Sequence, residues 1–111
     1  CRAYDDVVRL WSGGERVAQW TKGARVVKCF NQIGFDVMAN PRFGDRKAVI
    51  FAAGDDATAK KTVMTLANTI GFDCQDGGGL ANAGILENFA MLWIKSTQHF
   101  GREFAFGLLK R

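Results

Sequence analysis

The sequence predicts an α/β domain, because short apolar runs typical of strands alternate along it with segments of helical periodicity. Its 111 residues are enough for one hydrophobic core but not for two, so residues 1–111 are expected to form a single domain. The composition, 48% apolar and 23% charged, is that of a folded protein rather than a disordered or fibrous one. Alternation of this kind predicts parallel strands joined by helical crossovers.

The first predicted helix begins at a capping box. Ser12 and Glu15 have the spacing at which the serine hydroxyl accepts from the amide of residue 15 while the glutamate accepts from the serine amide. The helix is expected over residues 13–20, and Gly23 ends it because glycine adopts a left-handed backbone at little cost. The compact apolar run over residues 24–30 then predicts a buried strand.

The middle of the chain contains a second strand pattern and the clearest helix pattern. Residues 31–40 suit one or two helical turns, and residues 47–53 form a second apolar strand. Over residues 57–70 the apolar side chains recur at steps of three and four, which predicts an amphipathic helix. Asp55 and Asp56 precede it, where an aspartate caps a helix and complements its dipole.

The last third of the chain is expected to hold one strand and two helices. Residues 72–76 alternate apolar with polar side chains, as a half-exposed strand does. After three glycines, residues 80–97 predict a long helix that is apolar on more than one face, so it needs cover from a partner subunit or from another part of the same protein. Residues 101–109 have apolar side chains at helical spacing and predict a final amphipathic helix.

The charge and hydropathy patterns indicate whether the chain has a nucleic-acid or a membrane partner. The net charge of +4 comes from bases scattered along the chain, so no nucleic-acid partner is predicted; a mildly positive surface, or an anionic partner such as a nucleotide phosphate, explains the excess. The longest apolar stretch, residues 89–94, is far too short to span a bilayer, and residues 1–6 show no signal peptide. A cytoplasmic protein without a membrane partner is therefore expected.

The cysteines and the histidine indicate neither a disulfide framework nor a metal site. Three cysteines are widely spaced, and His99 is the one imidazole in the chain. Cys29 and Cys74 stand beside apolar neighbours and are expected to be buried like small hydrophobic side chains. Cys1 would need a nearby base to act as a nucleophile, and the sequence does not reveal one. No catalytic constellation is predicted.

Four polar positions are candidates for a site. Glu87 falls within the apolar stretch of the long helix, so it either faces solvent at an edge or is held by a specific partner at an interface. Asn31 follows the first strand, where α/β sheets bind cofactors, and suits either a carboxamide ligand or a structural turn. Asp55 and Asp56 also follow a strand, but helix capping explains them without a ligand.

Several linked motifs agree in order and spacing with a known family. They are Ala24-Arg25-Val26-Val27-Lys28-Cys29-Phe30-Asn31-Gln32-Ile33-Gly34, Met38-Ala39-Asn40-Pro41, Ala53-Gly54-Asp55-Asp56-Ala57 with Lys60, Leu80-x-Asn82-Ala83-x-x-Leu86-Glu87 with Ala90-Met91-Leu92-Trp93-Ile94, and Gly101-Arg102-Glu103-Phe104-Ala105-Phe106. Together they resemble the second half of the deazaflavin coenzyme-dependent NADP reductases. The resemblance covers nearly the whole chain from about residue 12.

That resemblance implies both a fold and an activity. The fold would be the second half of a Rossmann-like one, and the activity hydride transfer between NADP and a deazaflavin-type coenzyme. Phe30, Asn31 and Ile33 would line the cofactor near its nicotinamide. The long helix would border the second substrate and contribute to a homodimer, with Glu87, Met91 and Leu92 as candidate substrate or interface residues.

The family's phosphate-binding glycine loop has no counterpart in the sequence. No Gly-x-Gly-x-x-Gly run occurs, and Gly77-Gly78-Gly79 lacks both the spacing and a preceding buried strand. The 111 residues alone are therefore expected to bind nucleotide weakly and to be inactive, as the C-terminal portion of an oxidoreductase. The alternative is a non-catalytic dimerisation or binding module that reuses the half-fold. No motif decides whether the second carrier is a deazaflavin, a flavin or a quinone.

Overall fold

The computed structural model describes residues 11–111, so Cys1 lies outside the described residues. The predicted mixed α/β class is confirmed, and the arrangement is compatible with a partial Rossmann-like fold. Elements occur in the order α1 (Gly13–Trp20), β1 (Val27–Lys28), α2 (Phe35–Ala39), β2 (Arg42–Phe43), β3 (Arg46–Lys47), β4 (Val49–Gly54), α3 (Ala57–Ile70), β5 (Asp73–Asp76), a 3₁₀ turn (Leu80–Asn82) and α4 (Ala83–Phe100).

The core surrounds a three-stranded sheet of order β1-β4-β5. On one face of β4, Ile50 and Ala52 are fully buried in a cluster with Ala67 of α3 and with Phe72. On the opposite face, Phe51 meets Phe89 of α4 at a ring-centroid distance of 6.3 Å. Because side chains alternate along a strand, α3 and α4 cover opposite faces of the sheet.

The prediction of parallel strands is half right. β4 and β5 are parallel, with Ile50 opposite Cys74, because the 14-residue α3 provides a full helical crossover between them. β1 is antiparallel to β4, with Val27 opposite Gly54. The connection from β1 to β4 contains the five-residue α2 and a hairpin, which reverse the chain without a long crossover.

The first strand is also shorter and less buried than predicted. Of residues 24–30 only Val27–Lys28 pair with the sheet, and both are half-buried. Within the described residues β1 pairs on one side only, so it is an edge strand with little cover. Phe30 has φ 54°, a left-handed backbone that ends the extended run.

The local helix signals are confirmed. Ser12 and Glu15 form both halves of the capping box at α1, which spans the predicted residues. The Asp56 side chain accepts from the amide of Ala59 at 2.7 Å and caps α3. Gly71, at φ 122°, ends α3 in a conformation that only glycine adopts readily.

A β-hairpin was missed by the sequence reasoning. β2 and β3 pair as Arg42 with Lys47 and Phe43 with Arg46, around the two-residue turn Gly44-Asp45. Gly44 has φ 67°, which suits the first position of such a turn. The Gly-Asp pair between short flanking segments was the available signal, and the charged strands concealed it.

The predicted final helix over residues 101–109 is wrong. These residues form no helix, and they run beside β4, where the Val49 amide donates to the Phe106 carbonyl at 2.9 Å. Phe104 packs on Trp93 and Phe106 packs on Phe89, both in α4, at ring-centroid distances of 5.3 and 5.0 Å. Aromatic packing and that backbone hydrogen bond outweigh the weak helical pattern.

The long helix starts later than predicted. Leu80–Asn82 forms a 3₁₀ turn, and the α-helix begins at Ala83 and extends to Phe100 rather than residue 97. Leu86 and Trp93 are buried against the rest of the chain. No helix within residues 11–111 has the length and hydropathy that a membrane-crossing segment needs.

Candidate functional site

Phe30 stands at the end of β1 in a strained backbone conformation. A left-handed backbone is a genuine outlier for a bulky residue and costs about 1–3 kcal/mol. The Phe30 ring contacts Phe72 edge-on at 5.9 Å and packs with Ile33 against the core cluster on the α3 side of the sheet. Tertiary packing therefore holds the strain in place, which is typical of functional turns.

Asn31 faces the other side of the sheet. Its side-chain Nδ2 donates to the Leu86 carbonyl of α4. Within residues 11–111 its Oδ1 accepts no hydrogen bond, so this half-buried amide retains a free acceptor. The structure thus places Phe30 and Ile33 together, and Asn31 beside α4.

The position of this turn differs from the one assumed for Asn31. Because β1 is antiparallel to β4, its carboxyl end lies where β4 begins: the Gln32 side chain donates to the Val49 carbonyl at 3.0 Å. The rule that ligands bind beyond the carboxyl ends of parallel strands therefore does not apply to Asn31 here. Gln32 is only 1% exposed, and its Oε1 has no partner among the described residues. Sequence reasoning missed Gln32, because a polar residue in a turn normally faces solvent.

Glu87 is held inside the chain, at the contact between α1 and α4. Its carboxylate accepts from the Gly13 and Gly14 amides, both at 3.1 Å, and pairs with Lys28 Nζ at 3.3 Å. Burial raises its pKa, but the two amides and the lysine together outweigh burial, so the pKa of Glu87 is lowered. Of the two alternatives for Glu87, a specific partner at an interface is the one observed, and that interface is intramolecular.

Replacing Glu87 by glutamine should lower the free energy of unfolding by about 1–2 kcal/mol at pH 7, because charge-assisted hydrogen bonds are lost. A carboxyl whose folded-state pKa is below its unfolded value stabilises fully above the unfolded value, and loses that effect as the pH falls through the folded value. The difference between E87Q and the unaltered chain should thus be constant well above about pH 4 and shrink as the pH falls below it. Urea denaturation at several pH values measures it, with the exposed Glu103→Gln as control. A pH-independent difference would contradict the assignment.

Of Asp55 and Asp56, only Asp56 caps the following helix as expected. Asp56 caps α3, and Asp55 Oδ1 accepts from the Leu80 amide at the 3₁₀ turn, at 2.9 Å. Lys60 lies nearby and binds Asp76 at 2.8 Å and the Gly78 carbonyl at 3.1 Å. These contacts join α3, β5 and the glycine run into one structural unit at the carboxyl end of β4, whereas Asn31 lies near the end where β4 begins.

Met91 and Leu92 lie on different flanks of α4. Consecutive helical residues are about 100° apart, and the two side chains are 50% and 55% exposed. Met91 shares its flank with Glu87, whereas Leu92 shares its flank with Ile85, which is 65% exposed. The structure therefore does not bring Glu87, Met91 and Leu92 together in one cluster.

The two described cysteines are poor nucleophiles. Cys74 is buried, and burial together with neighbouring Cys29 raises its pKa to about 12. Cys29 is half-buried, and burial raises its pKa as well. Both thiols stay protonated near neutral pH, in keeping with the prediction of apolar-like cysteines. Within residues 11–111 no three His, Cys, Asp or Glu side chains converge as metal ligands would.

The turn of Phe30, Asn31 and Ile33 offers one polar group to a ligand, on the α4 side of the sheet. The free amide oxygen of Asn31 can accept from a donor such as a carboxamide N–H, whereas Phe30 and Ile33 pack into the core on the opposite side. Hollows on the described surface are lined by other residues: one of about 350 Å³ beside Phe72, for example, and one of about 400 Å³ between α1 and β1. A complete cofactor pocket would need further protein surface.

Comparison with known proteins gives partial likenesses. The chain is 39% identical over 86 residues to the metalloreductase STEAP3 of Rattus norvegicus. These 86 residues cover 77% of this chain but 17% of STEAP3. A solved structure of a putative F420-dependent NADP reductase from Arthrobacter sp. FB24 is similar, with a TM-score of 0.83 and 30% identity. The match covers 93% of this chain and 48% of the reductase chain. A solved structure of the hypothetical protein SMa0349 from Sinorhizobium meliloti is also similar, with a TM-score of 0.61 and 33% identity. The match covers 88% of this chain and 43% of the SMa0349 chain.

These likenesses leave most of each relative uncovered. The chain spans 17% of the curated relative and less than half of either solved chain. No family model matches it. The fold of described residues 11–111 is nevertheless that of one part of an NADP reductase-like structure.

Proposed function

We propose that this chain is the nicotinamide-side part of an NADP-dependent oxidoreductase that exchanges hydride with a deazaflavin-type coenzyme. The class of reaction is supported by the two similar proteins whose names describe reductases. The observation that carries the position of the site is the left-handed backbone of Phe30 next to the free amide oxygen of Asn31. Strain that surrounding packing maintains is concentrated at functional turns.

The chain's contribution to this reaction is positioning. Bound NADP supplies the hydride chemistry. Asn31 is oriented by its hydrogen bond to Leu86, which leaves its oxygen available to accept from a carboxamide N–H. Phe30 and Ile33 pack into the core on the opposite side of the sheet and so fix the turn that carries Asn31.

The anchor for the NADP pyrophosphate would come from outside residues 11–111. Within these residues β1 leaves one edge unpaired, and apolar side chains line hollows on both sides of it, among them Val17, Trp20, Val27 and Val63. A glycine-rich α/β part that extends the sheet at this edge would supply the missing phosphate contacts.

NADPH titrated into the 111-residue chain should therefore show no saturable binding below about 1 mM, an affinity of about −4 kcal/mol. Millimolar nicotinamide mononucleotide should still shift the NMR signals of the Asn31 side-chain amide. The exposed Asn88 on α4 is the matched control and should not shift. Low-micromolar NADPH binding would contradict this division of the cofactor site, and an unmoved Asn31 signal would contradict the site itself.

The expected homodimer is a second proposal, supported by the uncovered apolar flank of α4. Ile85 and Leu92 stand seven residues apart on that flank and are both more than half exposed. Leu92→Glu should shift the chain to the monomer in sedimentation analysis, while Gln98→Glu at an exposed position on the other flank of α4 should not. A monomer without either substitution would remove this proposal.

A further inference from the structure

Positive charge is concentrated at one end of the molecule. The bases there lie on the β2–β3 hairpin and in the last five residues, and two acids, Asp45 and Asp73, border them. This basic end comprises Arg42, Arg46, Lys47, Lys110 and Arg111. Its five bases against two acids leave an excess of three, which is most of the chain's net charge of +4. Charges that are scattered in sequence are therefore gathered by the fold.

The hairpin and the C-terminal segment form a continuous surface. Arg46 and Lys47 line a hollow of about 350 Å³ together with Gly107, Leu108 and Leu109. A side chain at Gly107 would begin 3.4 Å from the Arg46 guanidinium, so the two segments are in close contact. The hydrogen bond from Val49 to Phe106 anchors the segment just before the basic end.

The bases of this surface are not neutralised by acids. Within residues 11–111 none of the five lies within ion-pair distance of a carboxylate, unlike three cations elsewhere. Those three, Lys28, Lys60 and Arg102, pair with Glu87, Asp76 and Asp36. The basic end therefore presents uncompensated positive potential to its surroundings.

Large apolar side chains are exposed on the same surface. Phe43 and Leu108 are each 40% exposed, and Leu109 is 79% exposed. Bases flanking exposed leucine and phenylalanine are typical of surfaces that lie in the interfacial region of a membrane, where the apolar groups enter the acyl boundary and the bases meet headgroups.

We propose that the basic end binds the surface of an anionic phospholipid bilayer. The complementary charge is that of the lipid phosphates and carboxylates, and Phe43, Leu108 and Leu109 are the side chains that enter the interface. A nucleic acid would match the charge but would leave the two leucines without apolar contact. Such binding is peripheral, so it is compatible with the absence of a membrane-crossing helix in residues 11–111, and it does not depend on the proposed redox function.

Vesicle co-sedimentation of the 111-residue chain tests this. At low salt, the chain should bind vesicles of phosphatidylcholine that contain about 30% phosphatidylserine, and should bind pure phosphatidylcholine vesicles at least tenfold more weakly. At about 0.5 M salt the chain should be released from the vesicles. Arg46→Glu with Lys47→Glu should weaken binding at least tenfold. Leu109→Ser should weaken it severalfold without changing its salt dependence.

A matched charge control is available on the helices. Lys61→Glu with Lys95→Glu makes the same change in net charge at exposed positions away from the basic end, and should alter binding less than twofold. Circular dichroism checks that each variant is folded. Equal binding to both vesicle types, or an equal loss in the control pair, would overturn the proposal. Tighter binding of the chain to single-stranded RNA than to the vesicles, with displacement of the vesicles, would also overturn the proposal.

Discussion

Phe72→Ala should lower the free energy of unfolding of the chain by about 3–5 kcal/mol at 25 °C. Phe72 is 1% exposed, the largest fully buried side chain described, and packs in the cluster between α3 and the sheet. Truncating a buried phenylalanine costs about 3–5 kcal/mol through lost apolar burial and the cavity left behind. A domain of this size has a total stability of about 5–15 kcal/mol, so this loss would be a large share of it.

Urea denaturation followed by circular dichroism measures this effect. The matched control is Leu66→Ala on α3, whose side chain is 55% exposed and should cost less than about 1 kcal/mol. A loss below about 1.5 kcal/mol for Phe72→Ala would mean that the core is not centred on this ring. Phe72 also supports Phe30 edge-on, so a milder change, Phe72→Leu, should keep the fold and alter the NMR signals of Phe30 and Asn31.

Trp93→Ala should cost about 3–5 kcal/mol and release the C-terminal segment. The indole is 7% exposed, stacks on Phe104 at 5.3 Å and donates from Nε1 to the Phe104 carbonyl at 3.1 Å. The same ring packs so closely on Gly34 that an added Cβ there would lie 2.8 Å from it. One side chain thus joins α4 to both the turn before α2 and the segment after α4.

The release of that segment can be measured separately from global stability. The Val49 amide donates to the Phe106 carbonyl, so its hydrogen exchange should accelerate in Trp93→Ala. Trp93→Phe keeps an aromatic ring and loses the indole donor, and should cost about 1 kcal/mol beyond any packing change. Trp20→Ala is the exposed control and should have little effect, because Trp20 is 74% exposed. Unchanged exchange at Val49 would show that Trp93 does not hold the segment.

Local sequence determines the helices whose ends are marked by specific side chains. The capping box of Ser12 and Glu15 and the cap at Asp56 are made between residues three apart, so their geometry does not depend on the rest of the fold. Gly71 ends α3 for a reason equally local, its left-handed backbone. For these elements the predicted bounds and the structure agree.

The candidate site shows how far such local reasoning extends. Residue type and the family resemblance selected Phe30, Asn31 and Ile33, and the structure places them in one turn. It does not follow from their order that Phe30 is strained, or that Asn31 bonds to Leu86, 55 residues away. For Glu87 the sequence left solvent exposure and a specific partner as alternatives, and its partners Gly13 and Gly14 are more than 70 positions distant in sequence.

The sequence by itself thus determined the α/β class and the helices with local caps, and it left two alternatives for Glu87. Only the tertiary structure decided the direction of β1, the extended path of residues 101–109 and the clustering of the basic end. The physical reason is the range of the interactions involved. Caps and periodicity act within one or two helical turns, whereas strand direction, aromatic packing and charge clustering depend on residues brought together by the whole fold.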